Sequence, residues 1–186
     1  MTGAAPTVDS GHLDAEALFR AHAPFIGSFL HRLGIHATEV EDLLQEVFIV
    51  AHRKGGYLPG PATPRSWLAA IAVRVAQAGR RARHRREPAA GAVVDLLKAT
   101  GADPAQRLDV RRSMERVQRA LDGMPFEQRA AFVLFEIEGE SCEEIARVLE
   151  VPLGTIYSRL HHARRRFASA YAAADSGGAR SVTGDR

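Results

Sequence analysis

The chain reads as all-α: two small helical domains joined by a flexible linker, the second containing a helix-turn-helix. Three observations predict this. Apolar residues recur at three- and four-residue spacings in nearly every long segment, and none sustains the two-residue alternation of a half-buried strand. From Glu87 to Asp109, a stretch punctuated by Pro, Ala and Gly interrupts that periodicity. Near the C-terminus, "SCEEIARVLEVPLGTIYSRLHHARRRF" strings together a short capped helix, a tight turn and a basic second helix.

Residues 1–12 are small and polar and are expected to form a disordered tail. The first domain is placed at 13–87. Leu18, Phe25, Phe29 and Leu33 share one face of a helix that Gly34 ends, and Pro24 is expected to break or kink it. In "TEVEDLLQEVFIVAHRK", Thr38 and Glu41 have capping-box spacing, while Val40, Leu43, Leu44, Val47 and Ala51 face a core. Asp42, Gln45 and Glu46 occupy the opposite face. "GGYLPGPAT" is a loop, after which Thr63 caps a third helix with Pro64 in its first turn. Its apolar stripe is Trp67, Ile71, Val75 and Ala78, and it runs directly into the tract "RRARHRR".

Residues 88–109 are expected to be a linker that, as a flexible coil, spans about 25 Å on average. The second domain is placed at 110–174, followed by a tail over 175–186. Val110, Met114, Val117, Leu121 and Met124 repeat in a heptad-like pattern. Pro125 opens a helix running to Glu138, with Gly139 as its stop, and Ser141 with Glu144 has capping-box spacing. Ile156, Leu160, Ala163 and Phe167 form the inward stripe of the last helix.

Net charge is only +3, so placement matters more than the sum. Two Arg-rich tracts, at 80–86 and 161–167, fit either two contacts with a polyanion or two solvated helix ends; charge alone leaves these balanced. The last helix tips the balance. Its outward positions, from Thr155 to Arg166, all donate hydrogen bonds and none is acidic, unlike the mixed-sign helix before it. In a helix-turn-helix the N-terminal residues of the second helix meet base edges.

Other classes find little support. The single cysteine, Cys142, allows no intrachain disulfide and suits a reducing compartment. The N-terminus lacks the cationic and apolar regions of a signal peptide, and no apolar run is long enough to span a bilayer, so a cytoplasmic protein without membrane insertion is expected. No CxxC or HExxH spacing occurs, His161 and His162 point apart on a helix, and "GGYLPGP" lacks the GK[ST] of a phosphate loop. No catalytic residue, metal or cofactor is therefore expected.

Three segments, "EDLLQEVFIVAHR", "SWLAAIAVRVA" and "MPFEQRAAFVLFEIEGESCEEIARVLEVPLGTIYSRLHHARRRF", in that order, resemble the extracytoplasmic-function (ECF) subfamily of bacterial RNA polymerase sigma factors. The resemblance covers about Leu18 to Phe167 apart from the linker. It implies that the first domain (region 2) holds core polymerase through the clamp helices of its largest subunit, with Asp42, Leu43, Gln45, Glu46 and Phe48 as the contacts. It implies a −10 element reader in the third helix, with Arg74, Gln77, Arg80, Arg81 and Arg83 supplying charge. It implies −35 recognition by the region 4 helix-turn-helix at about 142–161, through Thr155, Tyr157, Ser158 and Arg159, continued by His161, His162, Arg164 and Arg165. Promoter DNA and an anti-sigma factor are the further partners it implies. The sequence departs from the family where Arg74 replaces a common Asn, Ala78 a common Asp, Tyr157 a common Lys and Glu150 a frequent Gly. A stand-alone helix-turn-helix regulator acting as a dimer on a palindrome is the alternative, and it explains neither the "DLLQE" helix nor the linker.

Overall fold

A computed structural model of the protein describes residues 11–84 and 104–178. The terminal segments 1–10 and 179–186, and 85–103 with most of the expected linker, lie outside the described residues. The first half contains α1 (Ala15–Arg32), α2 (Ala37–Arg53) and α3 (Pro64–His84). The second contains α4 (Pro104–Asp122), α5 (Phe126–Phe132), a π-helical turn (Val133–Ile137), α6 (Cys142–Leu149) and α7 (Leu153–Gly178). Helix α4 thus begins six residues before the expected start of the second domain.

Local chemistry explains most helix ends. Asp14 accepts from the Ala17 amide at 2.8 Å to start α1, and Leu13 exchanges backbone hydrogen bonds with Tyr57 at 2.8 and 3.0 Å. His12, expected in the tail, lies within hydrogen-bond distance of the Gly55 carbonyl at 2.7 Å. Helix α1 runs through Pro24 without a break. Pro24 and Arg20, whose carbonyl loses its usual donor, are both exposed, the setting in which a helix tolerates an internal proline at least cost. At the end of α1, Gly34 takes φ +83°, while its amide and that of Ile35 donate back to His31 and Leu30. That left-handed position favours glycine, and a side chain there would collide with the guanidinium of Arg129.

The expected cap of α2 is corrected. His36, not Thr38, is the N-cap, no side chain caps the helix, and Thr38 Oγ1 instead meets His36 Nδ1 at 2.7 Å. In α3, Thr63 Oγ1 accepts from the Ser66 amide at 3.1 Å as expected. The apolar face of α3 is wider than its expected stripe: Leu68, Ala69, Ile71, Ala72, Val73 and Ala76 are buried, whereas Ala78 is exposed. The cause is tertiary, because α3 packs against α1 and α2 on one side and against α6 on the other. Trp67 is half-buried, edge-on to Tyr57. Similarly, Val110 and Met114 of the heptad-like pattern are exposed, and only its C-terminal members Leu121 and Met124 are buried.

The core of the first half is built on Leu18, Ile26, Phe29 and Leu30 with Val47 and Leu68. In the second half, Leu121, Phe132, Leu134, Ile145, Ile156 and Leu160 play that part. The buried side chains of the two halves form one continuous cluster.

Candidate nucleic-acid interface

Helix α6 starts at Ser141, whose Oγ accepts from the Glu144 amide at 3.1 Å, and it ends in a paired-amide turn. The Glu150 amide donates to Arg147 and the Val151 amide to Ala146, with Glu150 itself left-handed at φ 56°. Glycine or asparagine is usual there, and a glutamate carries a conformational cost of about 1–2 kcal/mol. The turn delivers α7 with Ile156, Leu160 and Ala163 buried against the core. Phe167 stacks on Phe132, with ring centroids 4.8 Å apart. Rotation about this stripe turns the acid-free face outward. Tyr157, Ser158, His161, His162, Arg164 and Arg165 are exposed, and Thr155 and Arg159 are half-buried. Arg164 differs from the rest: its Nε donates to Glu136 at 2.6 Å and its guanidinium lies 5.1 Å from the Phe135 ring centroid.

The expected −10 residues on α3 face the second half of the chain. Arg74 donates to Glu150 at 2.6 Å and to the Val148 carbonyl at 3.2 Å, and Gln77 donates to Glu127 at 3.2 Å. Arg80 lies over the Phe126 ring, 5.1 Å from its centroid. Arg81 is exposed, and the side chain of Arg83 lies outside the described residues. The same seam holds contacts that local sequence patterns do not show. Glu138 accepts from Arg32 at 2.7 Å and also from Arg65, and Ser66 donates to Glu140 at 2.7 Å. Gln118 in turn donates to the His31 carbonyl at 3.1 Å.

On α2, Asp42, Gln45 and Glu46 are exposed together, and Leu43 is half-buried. Phe48 is only 7% exposed, its ring edge-on to Phe19 at 5.0 Å. The apolar side chains offered beside the acidic face are instead Phe19 and Ile49, 45% and 43% exposed. Ile49 falls between Gln45 and Glu46 in helical projection, a signal that a strict apolar-inside reading passes over.

Burial shifts four groups among the described residues: it lowers the pKa of His22, with Arg65 adding to the shift, and acts on three more near this architecture. Burial lowers the pKa of His31 below the ordinary 6.5, with Asp122 opposing and Arg32 adding to the shift. Burial lowers that of Arg129, whose Nη1 donates to Asp122 at 3.1 Å. The Cys142 thiol is pushed up, first by burial and then by Glu143. The denatured chain protonates His31 at its ordinary pKa, but the folded chain resists until lower pH. Stability is therefore fully present above about 6.5 and declines as pH falls through the window below it. Urea midpoints should drop between about pH 7.5 and 5.5, and His31→Gln should flatten that slope; an unchanged slope would refute the assignment.

Among the described residues no group of three His, Cys, Asp or Glu is gathered as a metal site, and no helix is long and apolar enough to cross a membrane. Comparison with known proteins matches the two halves separately. Residues 18–86 fit Sigma-70 region 2, and residues 114–167 fit Sigma-70 region 4. The chain is 34% identical to the RNA polymerase sigma-H factor of Pseudomonas aeruginosa over 69% of its own length and 70% of the relative's. It is 32% identical to the ECF sigma-E factor of Escherichia coli, with 70% and 72% covered. It is 38% identical to the ECF sigma factor SigE of Mycolicibacterium smegmatis over 81% of this chain, spanning 59% of that relative's length. The fold resembles that of the sigma factor RpoE of Bartonella quintana, solved in complex with the anti-sigma factor NepR. The TM-score is 0.67 at 22% identity, covering 83% of this chain and 94% of that one. CnrH, solved with the cytosolic domain of CnrY, matches with a TM-score of 0.57 at 21% identity, covering 86% and 88%. Two sigma regions in the right order, and relatives matched along most of their length, place this chain in the ECF subfamily of bacterial RNA polymerase sigma factors.

Proposed function

We propose that this protein binds core RNA polymerase and directs it to a specific class of promoters. The chemistry of transcription belongs to the polymerase. The observation that carries the reading is the pairing, in one chain, of an exposed acidic and amide face on α2 with an acid-free donor face on α7.

The α2 face suits a basic helical partner, and Asp42, Gln45 and Glu46 grip the clamp helices of the largest subunit around Ile49. Thr155, Tyr157, Ser158 and Arg159 read the −35 element, while His161, His162 and Arg165 follow the groove or backbone. Arg74, Gln77, Arg80, Arg81 and Arg83 form the cationic track for the −10 strand. The two functional domains span about 13–87 and 110–174. The protein works in the cytoplasm, and an anti-sigma factor is its natural inhibitor, as NepR is named for the Bartonella protein.

The test is binding to sigma-free core polymerase. Native protein should bind tightly, and Gln45→Ala/Glu46→Ala should weaken binding at least tenfold with the fold intact by circular dichroism. A folded native chain that ignores core polymerase yet shifts duplex DNA as a dimer would instead establish a stand-alone regulator.

A further inference from the structure

The outward face of α7 carries no acid of its own, yet one carboxylate reaches its edge from another element. Glu136 stands in the π-helical turn, where the Glu138 amide reaches back five residues to the Val133 carbonyl at 3.0 Å. Such turns are rare and occur often at functional sites. This one sets two consecutive side chains against one guanidinium. Arg164 Nε donates to Glu136 at 2.6 Å, and the Phe135 ring centroid lies 5.1 Å from Arg164 Cζ. Tyr157, His161 and Arg164 are four and three residues apart, so they form one row along α7. Arg164 ends that row about 10 Å from Tyr157, where a free guanidinium would meet a phosphate. Among the described residues no acid pairs with Arg159, Arg165 or Arg166 on the rest of the helix. The pair of Arg164 and Glu136 adds little to the fold, because its side chains are 54% and 34% exposed and solvent screens them.

We propose that Glu136 is a positioning residue for DNA binding. It keeps the Arg164 guanidinium on the π-helical turn and off the DNA backbone, and so lowers the affinity of α7 for DNA of any sequence. The proposal rests on the reading of α7 as the −35 helix. Phosphate contacts supply nearly all sequence-independent binding, and each adds about 0.9 to the slope of log affinity against log salt. With Arg164 withheld, recognition along this edge falls to Tyr157, at the end of the helix that reads bases.

The test is fluorescence anisotropy of the full chain on a labelled duplex of scrambled sequence, titrated with salt. Glu136→Ala should bind about tenfold more tightly than the native chain at about 50 mM salt and about threefold more tightly at about 200 mM, with a slope steeper by about 0.9. Glu136→Gln keeps an oxygen for Arg164 Nε but loses the charge, and should fall between. In Glu136→Ala/Arg164→Ala both the affinity and the slope should return to native values. Glu115→Ala makes the same change of net charge on α4, where Glu115 pairs with Arg111, and should leave the slope unaltered. Glu136 is exposed, so the urea midpoint of Glu136→Ala should match the native one, which excludes a general loosening of the second half.

Arg165→Ala separates the proposal from the reading beneath it. If Arg165→Ala weakens binding while Glu136→Ala does not tighten it, α7 meets DNA and Glu136 has no part in restraining it. If Glu136→Ala tightens binding equally with and without Arg164, the acid acts by its own charge and the holding of Arg164 is refuted. If neither change alters binding, the reading of α7 fails and the proposal fails with it.

Discussion

Phe29→Ala is expected to cost about 3–5 kcal/mol, the range for truncating a fully buried aromatic side chain that its surroundings cannot collapse around. Phe29 is completely buried at the centre of the first half, and its ring lies 5.8 Å from that of Phe25. Total stability for a domain of this kind is about 5–15 kcal/mol, so the loss takes a large part of it. Urea unfolding followed by helical circular dichroism should show a strongly lowered midpoint. Phe29→Leu, which refills most of the volume, should fall between native and Ala. A loss under about 1 kcal/mol in Phe29→Ala would mean that the ring is not the keystone its burial suggests.

The largest functional effect is expected from Tyr157→Ala/Arg159→Ala. Tyr157 is 52% exposed and Arg159 half-buried on the first two turns of α7, where a recognition helix reads bases. Each good base contact contributes about 1–3 kcal/mol of discrimination, so losing two should reduce specific promoter binding by at least about 30-fold. The readout is holoenzyme binding to a promoter selected from a random pool, set against a version scrambled at the −35 element. The double variant should lose the preference while binding the scrambled DNA almost as before. Arg165→Ala, placed further along the helix, should weaken both alike, the pattern of a phosphate contact. Selection of the same −35 sequence by the double variant would move base reading elsewhere.

What the sequence shows of this molecule is what short-range physics controls. The Ser141 cap, the Thr63 cap, the stop at Gly34 and the Ile156–Leu160–Ala163 stripe each depend on residues within one or two turns, and each is found as expected. Thr38 misled because a good capping residue competes with chain path. The tight exit from α1 through Gly34 and Ile35 brings His36 into extended geometry first, and the helix starts there. Phe48 lies beside the acidic face in sequence, and no local pattern on α2 records that the neighbouring α1 covers it with Phe19. The seam was invisible for a more basic reason. Arg74 and Glu150 are 76 positions apart, and no local periodicity records which distant carboxylate a guanidinium will meet. Residue types on α3 therefore suggest a nucleic-acid track, but only the tertiary arrangement shows that Arg74 and Gln77 meet Glu150 and Glu127 of the second half.

Helix α7 has mechanical consequences as well as chemical ones. Its 26 residues make a rod about 39 Å long. The rod is clamped well behind its reading end, where Phe132, Phe167 and Tyr171 stack in series and the Arg116 guanidinium lies 4.5 Å from the Tyr171 centroid. The first turns are held too, because Ile156 and Leu160, on either side of Tyr157, are buried in the core. Helix α7 is thus anchored at two places along its length, so that a tilt at one is resisted by close packing at the other, and its outward side chains keep a fixed spacing.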